Sequence, residues 1–299
     1  MANLLAHIRL TRPANIITAI ADILAGAAIS GAAFILLEES PLQLWLDLGW
    51  LVLATIGLYG GGVAFNDVFD AKLDKIERPE RPIPSGQASV RSAAWMASLL
   101  LLGGILAAFQ VDFTAGLLAI LVGLFAVLYD AWGKHKRLFG PINMGLCRAG
   151  NLFLGMTLMS QTIREFWYIG FVPLVYVAAI TMVSRGEVHG KNKSALYGGL
   201  FLYAGIVVFI GTLAYFRASY WLETVPFLVL LTYFIFPPLI KALKTQEPAL
   251  IGKSVKAAVL ALIIVNASLA AAFAGWMVAV AILLLLPVSL LLARVFAVT

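Results

Sequence analysis

Charge is what this sequence has least of. Of its 299 residues only 12% are Asp, Glu, Lys or Arg, while 62% are hydrophobic; a soluble domain carries about 25% charged residues. Too few polar side chains exist to coat a water-soluble particle, which excludes a large soluble domain. Cysteine occurs once, at Cys147, so neither an internal disulfide nor a cysteine-based metal site can form. Polar linkers and low-complexity tracts are also missing. The three histidines, His7, His135 and His189, lie far apart in the chain. His7 and His135 read as solvent-side loop residues.

Long apolar runs fill the rest. They lie near residues 14–37, 45–66, 90–109, 113–131, 141–160, 166–184, 196–216 and 221–240, with a final stretch over 254–296. A helix needs roughly 20 apolar residues to cross a bilayer. The last stretch is too long for one crossing and has Gly275 in its middle, so it reads as two helices joined by a tight turn. The expected architecture is all-α: a polytopic membrane protein of nine to ten transmembrane helices. The first run exceeds the 7–15 residues of a signal-peptide core, so it is expected to stay as a span.

The basic residues fix an orientation. When the N-terminus and alternate loops share one side, that side holds Arg9, Arg12, Lys72, Lys75, Arg78, Arg81, Arg91, Lys134, Lys136, Arg137, Arg148, Arg185, Lys191, Lys193, Lys241, Lys244, Lys253 and Lys256. The opposite side holds Arg164 and Arg217. Positive charge marks the cytoplasmic face. The net charge of +6 therefore follows from topology and does not indicate a nucleic-acid partner. The expected setting is the bacterial inner (cytoplasmic) membrane, N-terminus inside.

The acids gather on the basic side. In GGGVAFNDVFDAKLDKIERPERPIPSG, residues 60–86, Asn66, Asp70 and Asp74 stand four apart. Four residues advance a helix by about 400°, so their side chains share one stripe roughly 12 Å long. Carboxylates at membrane depth are costly and normally face a wet cavity. Hard oxygen ligands without Cys or paired His suit Mg2+, which bridges carboxylates to substrate phosphates. Arg78 and Arg81 follow at once and can hold a diphosphate. The plainer alternative is a solvated helix end, with Asp74 and Glu77 paired to nearby cations.

The pattern N-D-x-x-D-x-x-x-D followed by RPIPSG resembles the first signature of the UbiA superfamily of intramembrane prenyltransferases. Asn66, Asp67, Asp70 and Asp74 match it, and Arg81, Pro82, Pro84, Ser85 and Gly86 match its loop. Softer matches are Arg12-Pro13, Asn15, Tyr129, Lys134–Arg137 and Asn143. The likeness extends over roughly residues 9–270. It implies a single UbiA-like transmembrane domain over residues 1–299, built around a central cavity, and Mg2+-dependent transfer of a prenyl group from a polyprenyl diphosphate to an acceptor. On that basis Asn66, Asp67, Asp70, Asp74 and Glu187 are expected metal ligands, with Asp70, Asp74 and Glu187 catalytic. Arg78, Arg81, Lys134, Lys136, Arg137, Arg185, His189, Asn15 and Tyr129 are expected to contact diphosphate or acceptor.

One departure from the family pattern stands out. The second signature is normally another acidic DxxxD cluster, whereas MVSRGEVHGKNKSALYGG, residues 182–199, has Glu187 as its only acid. Either one Mg2+ is held mainly by the first cluster, or Arg185, Lys191 and Lys193 replace the second metal. His189 reads as a metal ligand, a general base or a plain loop residue. The stretches SRGEVHG and GPINMGLCRAGNLFLG, residues 140–155, are similar to the EboC-like branch of the superfamily, which implies an unusual acceptor in secondary-metabolite biosynthesis.

Asp22, inside the first run, either lines the cavity or pairs with an interior polar group, and Asp130 is similar. A non-catalytic lipid-binding or transport component is the alternative function. The CDP-alcohol phosphotransferases, which also use membrane-embedded acids, need a DG and an AR between them that this chain lacks.

Overall fold

A computed structural model describes residues 4–187, 190 and 192–296. The regular elements among the described residues are helical. They are α1 (Leu4–Leu10), α2 (Pro13–Ile29), α3 (Ala32–Glu38), α4 (Leu42–Phe69), α5 (Ala71–Glu77), α6 (Val90–Phe109), α7 (Phe113–Ala131), α8 (Phe139–Met156), α9 (Thr162–Phe166), α10 (Phe171–Ser184), α11 (Lys193–Arg217), α12 (Trp221–Thr245), α13 (Pro248–Leu260), α14 (Leu262–Leu283) and α15 (Leu285–Val295), joined by short 3-10 turns.

Seven helical stretches are long and apolar enough to cross a membrane, and the pair α1 and α2, bent by 47°, makes an eighth. Adding α8 or dividing Pro248–Val295 in two gives nine, and the two together give the upper expected count of ten. The first apolar run is not one helix. It breaks at Ser30–Gly31, where Gly31 has φ 84°. The last run folds back at Gly275, whose φ of 82° and ψ of 174° favour glycine. The hairpin returns far enough for Lys256 Nζ to donate to the Ala293 carbonyl at 3.4 Å. At its tip, Glu223 Oε2 accepts from the Trp276 N–H at 2.6 Å, satisfying a backbone donor that the break leaves open.

Helix α8 is too polar to qualify as a span because it turns Asn143, Arg148 and Asn151 inward. It packs closely on α2, where a Cβ on Gly26 would overlap the Leu152 carbonyl and one on Gly155 would overlap that of Ile23. Small residues at such contacts let backbones approach, which brings Asp22 within hydrogen-bond reach of α8. Arg148 was expected among the cytoplasmic loop charges. It is instead a buried helix residue and contributes nothing to the loop-charge asymmetry.

Candidate active site

The acidic stripe survives a break in the helix. Helix α4 ends at Phe69 and α5 begins at Ala71, with Asp70 between them at φ −84° and ψ 0°. The four-residue backbone bonding continues across the break: Asp70 N–H to Asn66 at 2.9 Å, Asp74 N–H to Asp70 at 2.8 Å and Arg78 N–H to Asp74 at 2.9 Å. Asn66, Asp70, Asp74 and Arg78 therefore all reach one cavity of about 310 Å3, here called the mouth, together with Arg12, Asn15, Arg81, Tyr129, Arg148 and Glu187.

Asp70 and Asp74 in the mouth, and Asp67 behind it, already hold cations. Asp67 pairs with Arg12 and with Arg81, each at 3.1 Å, and Arg81 Nη1 also reaches Asp74 at 2.8 Å. Lys134 Nζ lies 2.5 Å from Asp70. Asn66 donates its amide to Asp130 at 2.8 Å, which turns its carbonyl oxygen away from Asp130. Arg12 sits in the left-handed region at φ 49°, a costly conformation for a long side chain, and its bond to Asp67 fixes it there. Burial pushes the Asp74 carboxyl up, and Arg81 pulls it back. Burial also raises Glu187, while the charges of Arg78 and Arg12 oppose it. Glu187 Oε1 is buried without a hydrogen-bond partner among the described residues.

Several expected contacts are not gathered here. Lys136 lies over the Trp132 ring, 5.0 Å from its centroid. Arg185 donates to the carbonyls of Lys136 at 2.8 Å and Arg137 at 2.9 Å, so it pins the turn that carries Lys134. Arg137 is exposed, and neither it nor Arg185 lines the mouth. His189 and Lys191 fall outside the described residues.

A second chamber of about 190 Å3 opens from the mouth between α4, α7 and α8. The two share Arg12, Tyr59, Asn66, Tyr129, Met144 and Arg148. This inner arm has apolar walls, including Leu58, Val63, Val122 and Ala126, and reaches Cys147 and Asn151. A polar network closes it. Arg148 Nη1 donates to Asp22 at 2.6 Å and Nη2 to Thr18 at 2.5 Å. Asn151 and Asn266 donate to Asp22 at 3.0 and 2.7 Å, and Thr55 donates to Asn151 at 2.7 Å.

Arg148, Tyr59 and Asn151 were not among the expected site residues. The signal available was the cost of Asp22 inside an apolar run, which demands a donor without naming it.

The acids suit Mg2+ by chemistry: Asn66, Asp70, Asp74 and Glu187 offer hard oxygens toward one cavity, and one Glu187 oxygen lacks a partner among the described residues. Among the described residues no group of three or more His, Cys, Asp or Glu forms a ready metal cluster, because side-chain cations stand between the acids.

Helices of membrane-spanning length around an acid- and base-lined cavity define an intramembrane protein equipped for a polyanion and a hard cation. The model of the UbiA prenyltransferase family matches residues 27–256, and the chain belongs to that family. It is 33% identical over 144 residues to a digeranylgeranylglyceryl phosphate synthase of Methanosarcina mazei, a match covering 48% of each chain. The likeness thus spans about half the length of that relative. A UbiA homologue from Aeropyrum pernix superposes with a TM-score of 0.66 at 19% identity, over 85% of this chain and 96% of the other. Another, from Archaeoglobus fulgidus and bound to GPP and Mg2+, gives 0.65 at 15% identity, over 92% and 99%. These structures share the fold.

Proposed function

We propose that the protein is a prenyltransferase that moves the prenyl group of an allylic polyprenyl diphosphate onto an acceptor inside the membrane. The observation that supports this most is the convergence of Asn66, Asp70, Asp74, Arg78 and Glu187 on one cavity in a chain of this family. Asn66, Asp70 and Asp74 would hold Mg2+, with Glu187 as a helper ligand. Asp67 keeps Arg12 and Arg81 in position from behind. Bound there, the metal would supply charge neutralisation for the diphosphate.

Arg78 lines the mouth and pairs with no carboxylate among the described residues, so it is the cation freest to meet the diphosphate. Lys134 and Arg81 join it by releasing Asp70 and Asp74. As the allylic C–O bond breaks, its electron pair stays on the diphosphate, which these cations stabilise. Tyr59, Tyr129 and the apolar walls keep water from the allylic cation. An electron pair of the acceptor closes the new bond, and the acceptor's proton leaves with the diphosphate. The mouth faces the cytoplasm by the loop-charge rule, in a bacterial inner membrane, and the acceptor belongs to secondary metabolism.

Membranes containing the protein, incubated with Mg2+ and labelled prenyl diphosphates, should yield a labelled lipid product. A second reading, a non-catalytic binding or transport component, draws on the pairing of Asp67, Asp70 and Asp74 with side-chain cations. Diphosphate binding with no product in any membrane extract would favour it.

A further inference from the structure

Every cation that lines the inner arm is already matched by a carboxylate. Arg148 faces Asp22, and the pair is nearly sealed, with side-chain exposures of 6% and 1%. Asp22 accepts from Arg148, Asn151 and Asn266, so it is an anion held from two other helices. Arg12, the other cation on the arm, holds Asp67. Asp130 adds a further acid beside Asn66. The mouth differs, because Arg78 lies there without an ion pair among the described residues.

Arg148 keeps donors in reserve. A guanidinium has five N–H groups, and Asp22, Thr18 and Tyr59 engage three. Its face lies over the Tyr59 ring, 4.9 Å from the centroid, and the residue lines the arm. The arm therefore offers hydrogen-bond donors without surplus positive charge. An anionic headgroup would join Asp22, Asp67 and Asp130, which Arg12, Arg81 and Arg148 no more than balance, in apolar surroundings where uncompensated charge is expensive. A neutral hydroxyl or carbonyl oxygen meets the same donors without that penalty.

We propose that the inner arm is the acceptor subsite and that it selects a compact, electrically neutral acceptor, gripping its hydroxyl or carbonyl oxygen with Arg148 and rejecting carboxylates and phosphates. The acceptor role rests on the prenyl-transfer reading; the preference for a neutral ligand does not.

Cys147, the only cysteine, is half-buried and lines the arm beside Arg148, so it reports occupancy in the unaltered protein. The full chain in lipid nanodiscs is treated with labelled N-ethylmaleimide in the presence of 4-hydroxybenzamide, 4-hydroxybenzoate or glycerol phosphate. The amide and the acid share a shape and differ in charge. The amide should slow Cys147 labelling several-fold, while the two anions at equal concentration leave it unchanged. Equal protection by either anion, or protection by none of the three, overturns the proposal.

Mg2+-dependent binding of labelled geranyl diphosphate, measured on the same preparation, separates the two readings. Its failure with selective protection intact sinks prenyl transfer and leaves a neutral-ligand site. Asp22→Asn removes the compensating acid and should let 4-hydroxybenzoate protect. A folded variant that still rejects it contradicts the charge-balance argument, and if the variant does not fold, the unaltered protein decides alone.

Discussion

The mouth and the buried network beneath it are made from the same residue types and are built oppositely. In the network, Asp22 and Arg148 are sealed from solvent and Asp22 receives three donors from α8 and α14. At the mouth, Asp70 and the Lys134 paired to it keep side-chain exposures of 18% and 12%, and among the described residues Arg78 has no ion pair and Glu187 Oε1 no hydrogen-bond partner. A buried pair that satisfies itself sets the registry of helices. A half-buried set with exchangeable cations can give its carboxylates to a metal and its bases to a diphosphate.

The largest expected effect breaks the network. Asp22→Ala leaves Arg148 buried without its counter-charge, which should cost about 3–5 kcal/mol and show as a sharp fall in melting temperature in detergent. The pair Asp22→Asn with Arg148→Gln removes both charges and should cost much less. Equal melting of Asp22→Ala and wild type would erase the contrast between the two regions.

The next effect falls on chemistry instead of stability. Asp70→Asn should reduce transfer by on the order of 100-fold or more while the melting temperature stays within a few degrees. Asp74→Ala should abolish transfer and also lower stability, because Asp74 is buried on Arg81. Product yields equal to wild type would favour the transport reading.

Smaller effects sharpen the boundary of the mouth. Arg185→Ala frees the turn that carries Lys134 and should weaken donor binding a few-fold, whereas Lys136→Ala and Arg137→Ala should leave it unchanged. A larger loss from Arg137→Ala than from Arg185→Ala, read by filtration binding of labelled diphosphate, would return Arg137 to the site.

The smallest effect is one of stability against pH. Burial raises the Glu187 carboxyl, so the folded state binds that proton more tightly than the unfolded chain does. Ionised Glu187 therefore opposes folding at neutral pH, and this penalty fades as the pH falls through the raised value into the usual glutamate range. Glu187→Gln should raise the melting temperature by a few degrees at most at pH 7, converge with wild type in acid, and retain partial activity. A lower melting temperature at pH 7 would reverse the assignment, and a dead variant would make Glu187 an anchor of its own metal.

Much of the fold was legible because apolar length and helical period are local. The runs at 90–109 and 113–131 coincide with α6 and α7, and the four-residue spacing of Asn66, Asp70 and Asp74 carried through the break at Asp70. The break at Gly275 was legible because glycine in a run too long for one crossing marks a turn. Partners were not legible. Asp22 was recognisable as an expensive acid, but its cation lies 126 residues away, and Arg148 read as loop charge because nothing local turns it inward. Arg185, Lys136 and Arg137 read alike as anion contacts, since charge is in the sequence and side-chain direction is not. Trp132 and two backbone carbonyls decide where Lys136 and Arg185 point.

The central claim is that the mouth binds a metal and a prenyl diphosphate together through the acidic stripe. Equilibrium binding of labelled geranyl diphosphate to the purified protein, with and without Mg2+, for wild type and Asp70→Asn, tests it most directly. Saturable binding that needs Mg2+ in wild type and disappears in Asp70→Asn is the predicted result. Binding that is equally tight without Mg2+, or unaltered in Asp70→Asn, would contradict it.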